Sequence, residues 1–321
     1  DIAQALHTQS NKILFTSGGT ESNNTAIKGY ALRHQNRGKH IVTTAIEHHA
    51  VLEVVEYLVD KFGFEATFVQ PVDGQIRAEE IKKALRPDTI LVSVMAVNNE
   101  TGAMLPIKEI GKLLQEHPAV FHVDAVQAIG KFPIYPDELG IDFLSASAHK
   151  FHGPKGVGFL YAKKMDFDNF MHGGDQEEKH RAGTENLISI TGMAAALSES
   201  MEHLEENLEH AQDLKNSLLA DLSDIEYYLN ESQPSLPYVI NLGFPNQKND
   251  LLLLQMDLNG FSISTGSACT AGAIQPSHVL QAMYGKDSNR LYESIRISTS
   301  DQTTLQEIQS FTKKLKEILG G

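Results

Sequence analysis

Up to about residue 195 the hydrophobic and polar positions alternate between two periods. The runs "KILFTS", "HIVTTAI", "ATFVQPV", "TILVSVMAV", "AVFHVDAV", "IDFLSASA" and "GVGFLYA" are apolar or β-branched, and several lack polar alternation. That is the pattern of strands covered on both faces. Between them, "VLEVVEYLVDKFG" and "IKEIGKLLQEH" place apolar residues at helical spacing, as amphipathic helices do. The alternation predicts an α/β domain over residues 1–195, built on a mainly parallel sheet of seven strands. Residues 186–222, rich in Ala, Leu, Glu and Met and without proline, predict one long helical region. A smaller α+β domain, 196–321, then carries the strands "YVINLGF" and "SIRIST", a helix around "NDLLLLQMDLNG" and a last helix from Thr304.

Composition narrows the picture. The chain has 321 residues, 41% hydrophobic and 21% charged, ordinary for a globular protein of about two domains. No apolar run approaches the ~18 residues of a membrane span. The first residues are mixed and polar, which predicts no secretory leader. Cys269 is the only cysteine, so no intrachain disulfide forms, and a reducing cytoplasm fits best. The formal net charge is −14 without a dense basic patch, which disfavours direct nucleic-acid binding.

The chemistry centres on "FLSASAHKFHGPKG". Small residues lead a strand to Lys150, with His149 and His152 beside it and a tight "GPKG" turn after it. Parallel sheets bind ligands beyond the carboxyl ends of their strands. A lysine desolvated there falls from its usual pKa of about 10.4 toward neutrality and becomes an amine nucleophile fit for a Schiff base. Asp124 ends the preceding strand in "FHVDAVQ". A carboxylate opposite a pyridinium nitrogen is what pyridoxal 5'-phosphate (PLP) needs to act as an electron sink. Gln127 stands three residues on, in reach of a ring oxygen. "FTSGGTESNN" adds Gly19 and Thr20 at a strand–turn–helix junction with backbone N–H groups for a phosphate. His48 opens another helix, where an imidazole can stack on a ring and move protons. No cluster has metal-ligand spacing.

Each feature also has a plain structural reading. A strand-end lysine snorkels to water, an aspartate or a Gly-Gly-Thr turn caps a helix, and a lone cysteine is a small buried hydrophobe. Cys269, however, is wrapped in Gly, Ser, Thr and Ala, which predicts an exposed flexible loop and a reactive thiol. Arg296, in "SIRIST", is a natural clamp for a carboxylate.

Taken together, "SGGTESNN", "EHHAV", "VNNETG", "HVDAVQ", "SAHKFHGPKG", "RAGTEN" and "GSAC" resemble, in order and across the whole chain, the cysteine desulfurases of the NifS/IscS type. These belong to the class V aminotransferase group of fold type I PLP enzymes. The resemblance implies that Lys150 links PLP, Asp124 partners the pyridine nitrogen, Gln127 bonds the ring hydroxyl and His48 stacks on the ring. Thr20, Ser147 and His149 would hold the phosphate, with Thr184 added from the neighbouring subunit of a homodimer. Asn99 and Arg296 would bind substrate, and Cys269 would accept its sulfur for iron–sulfur clusters or tRNA thiolation. The family's opening Asn-Ala-Ala-Thr-like stretch is not among these residues. The rival expectations are a selenocysteine lyase, a small-amino-acid transaminase, or a PLP-less sulfur-relay scaffold.

Overall fold

The computed structural model describes residues 1–266 and 275–320. The described chain divides into two compact units. One comprises residues 1–70, 76–97 and 105–204, the other residues 71–75, 98–104 and 205 onward. Among the described residues no helix is long and apolar enough to cross a membrane.

The first unit is built on seven strands: β1 (Ile13–Thr16), β2 (His40–Thr44), β3 (Glu65–Val69), β4 (Thr89–Met95), β5 (Val120–Asp124), β6 (Phe143–Ser147) and β7 (Gly158–Ala162). Their order is β1-β7-β6-β5-β4-β2-β3. All seven match apolar runs of the sequence. The pairs β6–β5, β5–β4, β4–β2 and β2–β3 are parallel, whereas β7 runs antiparallel to both β6 and β1. Every residue of β2, β4, β6 and β7 is buried, which is why those segments read as unbroken apolar runs. The helix His49–Phe62 packs Val51, Val54, Val55 and Leu58 into one core with Ile41, Leu91 and Leu160. It stops at Gly63, whose φ of 66° is the left-handed cap a glycine takes without strain.

His122 joins the middle of this sheet laterally. Its ring bonds Ser93 Oγ of β4 at 2.8 Å and Ser145 Oγ of β6 at 3.0 Å. Complete burial pushes its pKa down to about 3, so the ring is neutral at physiological pH.

The second unit holds a three-stranded antiparallel sheet, ordered β10-β9-β8, of β8 (Tyr228–Leu229), β9 (Val239–Gly243) and β10 (Ser294–Ser298). Leu214, Leu218, Ile240, Leu242, Met256, Ile295 and Phe311 form its core. They come from β9, β10 and the helices Leu204–Asp221, Asn249–Leu258 and Leu305–Gly320. The helical region expected over residues 186–222 is two helices, Leu187–Glu202 and Leu204–Asp221. They are interrupted at His203, which leaves helical geometry at φ −104°, ψ 18°.

Candidate active site

Three chain segments bring the predicted groups of the first unit together. β5 ends at Asp124 and β6 runs parallel beside it, with Asp124 opposite Ser145. β6 ends at Ser147, and a short 3-10 turn, Ala148–Lys150, follows at once. That turn is tied back by Ala148 N donating to Val157 O at 3.1 Å. Lys150 therefore stands past the carboxyl end of its strand, half-buried.

The third segment is the helix opening at Gly19. It needs its two glycines for closeness. A Cβ on Gly18 (φ 145°) would stand 3.3 Å from Ser147 Oγ, and one on Gly19 would stand 2.5 Å from Val126 Cγ2. The first turn thus lies against the ends of both β5 and β6. Its leading N–H groups have no acceptor within the helix. The Thr20 hydroxyl is at the exposed start, and Ser147 Oγ shares a 3.0 Å hydrogen bond with His149 Nδ1.

Asp124 is buried, 5% exposed. Asn23 Nδ2 donates to its Oδ2 at 2.7 Å, and the Val126 N–H donates to Oδ1 at 3.0 Å. Burial pushes its carboxyl above the usual range, opposed by those two donors and by His48 and Lys150. His48 caps the helix His49–Phe62, its Nδ1 accepting from Ala50 N at 3.0 Å. The neutral ring then carries its proton on Nε2. Gln127 Oε1 accepts from Lys131 Nζ at 3.3 Å. His149 is held below its ordinary pKa by burial and by the charges of Lys150 and Lys155. Thr20 and His48 also line an open cavity of about 480 Å³ with Asn24, Lys28, Glu53 and Tyr57.

This set fits PLP. A buried carboxylate held in place by two donors, an amine one strand away, and a phosphate cradle narrowed by two glycines are its three requirements.

Pattern reading missed several residues. Asn23 lies within the quoted "SGGTESNN", and its buried Oδ1 has no hydrogen-bond partner among the described residues. Glu47, in "AIEHH", is wholly buried: Thr44 Oγ1 donates to its Oε1 at 2.7 Å and Met95 N at 3.0 Å. Burial raises its pKa to about 8. Its only sequence signal is an acid at the end of an apolar strand. Arg181 reaches back to Glu21 of its own chain, Nε to Oε1 at 2.9 Å. Burial alone would raise Glu21, but Arg181 and the Ser17 N–H hold it below the usual range. Thr184, three residues on, is exposed.

Two predicted residues lie in the second unit. Arg296, on β10, donates from Nη1 to the Asn99 carbonyl at 3.1 Å, while its buried Nε has no hydrogen-bond partner among the described residues. Burial lowers its pKa from the ordinary value. Asn99 belongs to a turn fixed by Asn98 Oδ1, which accepts from the N–H groups of Glu100 and Thr101 at 2.9 and 3.0 Å. Cys269 lies outside the described residues.

The family profile described as aminotransferase class-V matches residues 1–311. Among curated proteins, a putative cysteine desulfurase IscS 1 of Bacillus subtilis is 46% identical over 323 residues, covering 99% of this chain and 85% of that protein. A cysteine desulfurase IscS of Dictyoglomus turgidum is 44% identical, at 99% and 82% coverage. Among solved structures, a NifS-like protein superposes with a TM-score of 0.92 at 37% identity, covering 99% of this chain and 85% of its own.

Proposed function

Because the chain belongs to the class-V aminotransferase family, we propose that it is a PLP-dependent cysteine desulfurase. It converts L-cysteine to L-alanine and passes the sulfur to an enzyme cysteine. The observation that carries the reading is the junction of Asp124, Lys150 and the Gly18–Gly19 turn at one end of the sheet, beside relatives of that name.

Bound PLP supplies a ring that takes up the electron pair left on the substrate α-carbon. The chain's residues do the rest. Thr20, Ser147, His149 and the first N–H groups of the Gly19 helix hold the phosphate, joined in a homodimer by Thr184 of the partner subunit. Asp124, kept in place by Asn23 and the Val126 N–H, would pair with the pyridine nitrogen. A protonated ring there would offset the burial that raises its carboxyl. Lys150 Nζ would hold the cofactor and, as a neutral amine when released, would take the α-proton. His48 has Nδ1 engaged by Ala50, so Nε2 is the atom that exchanges protons. In the second unit, the Arg296 guanidinium binds the substrate carboxylate, with Asn99 alongside.

The Cys269 thiolate attacks the substrate sulfur. An S–S bond forms as the C–S bond breaks. The pair from the broken bond stays with the β-carbon, which takes a proton, and the α-carbon regains its electron pair and a proton from Lys150 to complete alanine. The persulfide then passes to an acceptor, an iron–sulfur scaffold or a tRNA-thiolation enzyme, in the cytoplasm.

The deciding experiment supplies purified protein and PLP with L-cysteine and a thiol reductant, measuring alanine and sulfide together. Equimolar products support the reading. Alanine that forms only when an oxo acid is added makes the protein a transaminase. No product makes it a scaffold, and turnover confined to selenocysteine makes it a selenocysteine lyase.

A further inference from the structure

The segment after β5 is two helical turns, with Ala128 and Ile129 N–H groups donating to Ala125 O and Lys131 and Phe132 N–H groups to Ala128 O. It carries Gln127 and Lys131 on one face, and Lys131 Nζ donates to Gln127 Oε1 at 3.3 Å. An ammonium has donors and no acceptor, so only the carbonyl end of the Gln127 amide can face it. The NH₂ end is what remains for anything beside Gln127. The same segment is packed onto the Lys150 turn. A Cβ on Gly130 (φ 78°) would stand 2.8 Å from Phe151 Cβ and 3.2 Å from Ser200 Cβ.

We propose that Lys131 is a positioning residue for the Lys150 site. It turns the Gln127 amide so that its NH₂ serves as a donor, and it brings a second positive charge to the segment packed on the Lys150 turn. The proposal rests on the reading of Lys150 as the cofactor lysine.

Two like charges within reach of each other's field each disfavour the other's proton. Burial, followed by the charge of Lys150, lowers the pKa of Lys131 to about 8. By reciprocity Lys131 favours the neutral, nucleophilic form of Lys150. Asp124 draws Lys150 the other way, and the charge of Lys150 also bears on His149, together with Lys155.

The first readout is taken on apoprotein and needs no turnover. Trace acetylation across a pH series, resolved by peptide mass spectrometry, gives the pH at which Lys150 is half-reactive. Exposed Lys179 serves as the internal control. Lys131→Met raises that pH by about half a unit or more, the scale of one neighbouring charge in a partly wet site. Lys131→Arg, which keeps the donor and never loses its charge, leaves it at or below the parent value. The proposal is overturned if Lys131→Met matches the parent within about 0.2 unit. It is equally overturned if Lys131→Arg titrates above the parent, an outcome that decides even where the Met variant does not fold.

The second readout is the PLP dissociation constant. Lys131→Met weakens binding several-fold in the parent and has no further effect in a Gln127→Leu background. Equal losses in both backgrounds overturn the orienting role. Borohydride reduction of the parent with PLP keeps the two questions apart. A pyridoxyl group on a lysine other than Lys150 sinks the cofactor assignment, whereas the acetylation profile judges Lys131 by itself.

Discussion

Lys150, Asp124 and His48 stand out in the sequence as candidates because each is a polar group placed at or just past the end of an apolar strand, where the environment does the signalling. Asn23, Glu47 and Lys131 do not, because what matters about them is a partner distant in sequence: Asp124 for Asn23, Met95 for Glu47, the Lys150 turn for Lys131. Glu47 shows how much such a contact carries. Its pKa is raised to about 8, chiefly by burial and in part by the nearby Asp124, while the unfolded chain holds it near the ordinary glutamate value. Between those two values the folded state binds a proton that the unfolded state releases, so stability falls as pH rises. The loss accrues at about 1.4 kcal/mol per pH unit and levels off above the folded pKa. Glu47→Gln keeps the Oε1 acceptor for Thr44 and Met95 and cannot ionise. Thermal melts of the apoprotein at several pH values therefore give nearly equal midpoints at pH 5 and a variant increasingly more stable than the parent toward pH 8. A midpoint difference that stays constant with pH shows that Glu47 does not titrate as described.

Among elements, the strands and the longer helices were legible because their burial repeats along the chain. The reversed direction of β7 was not, since an apolar run carries no sign of which way it points. Two-residue β8 is too short to show a pattern, and the break at His203 replaces a residue that propensity alone would keep helical. The Gly-Gly turn was read as a phosphate loop, but its steric reason appears only in the packed sheet. Val126 is β-branched and stiff, so a methyl on Gly19, 2.5 Å from its Cγ2, has nowhere to go. Gly19→Ala costs about 1–3 kcal/mol, as overpacking does, and loosens PLP by moving the helix start off Ser147. Val126→Ala removes the obstructing carbon, so the double variant recovers much of the midpoint lost by Gly19→Ala alone. If the two losses simply add, the clash is not the cause.

At the scale of the molecule, the pattern change near residue 195 suggests an α/β and an α+β part, while the first compact unit runs on to residue 204. The return of residues 71–75 and 98–104 to the second unit left no trace in composition, because short excursions bury too little to alter it. The first unit holds Asp124, Lys150 and His48, and it leaves Thr184 exposed while Arg181 is engaged by Glu21 of its own chain. On the proposed use of Thr184 by a partner subunit, full PLP occupancy depends on dimerisation, and a monomer in solution that retains PLP fully refutes the shared site. The ring-handling groups and the sulfur-accepting thiol are separate pieces of chemistry, which Cys269→Ser divides. No group assigned to the ring is altered, so the variant binds PLP like the parent and its visible spectrum still responds to added cysteine. A serine hydroxyl, whose pKa lies far above neutrality, supplies almost no anion where a thiol supplies a useful fraction, and its oxygen does not take up sulfur. Without an acceptor the substrate C–S bond stays intact. The expected result is a spectral change that forms and then persists, with alanine release reduced by orders of magnitude and no persulfide detected by mass spectrometry. Alanine released at the parent rate would mean that sulfur leaves the substrate without Cys269, and would move the selenocysteine-lyase or transaminase reading ahead of the desulfurase.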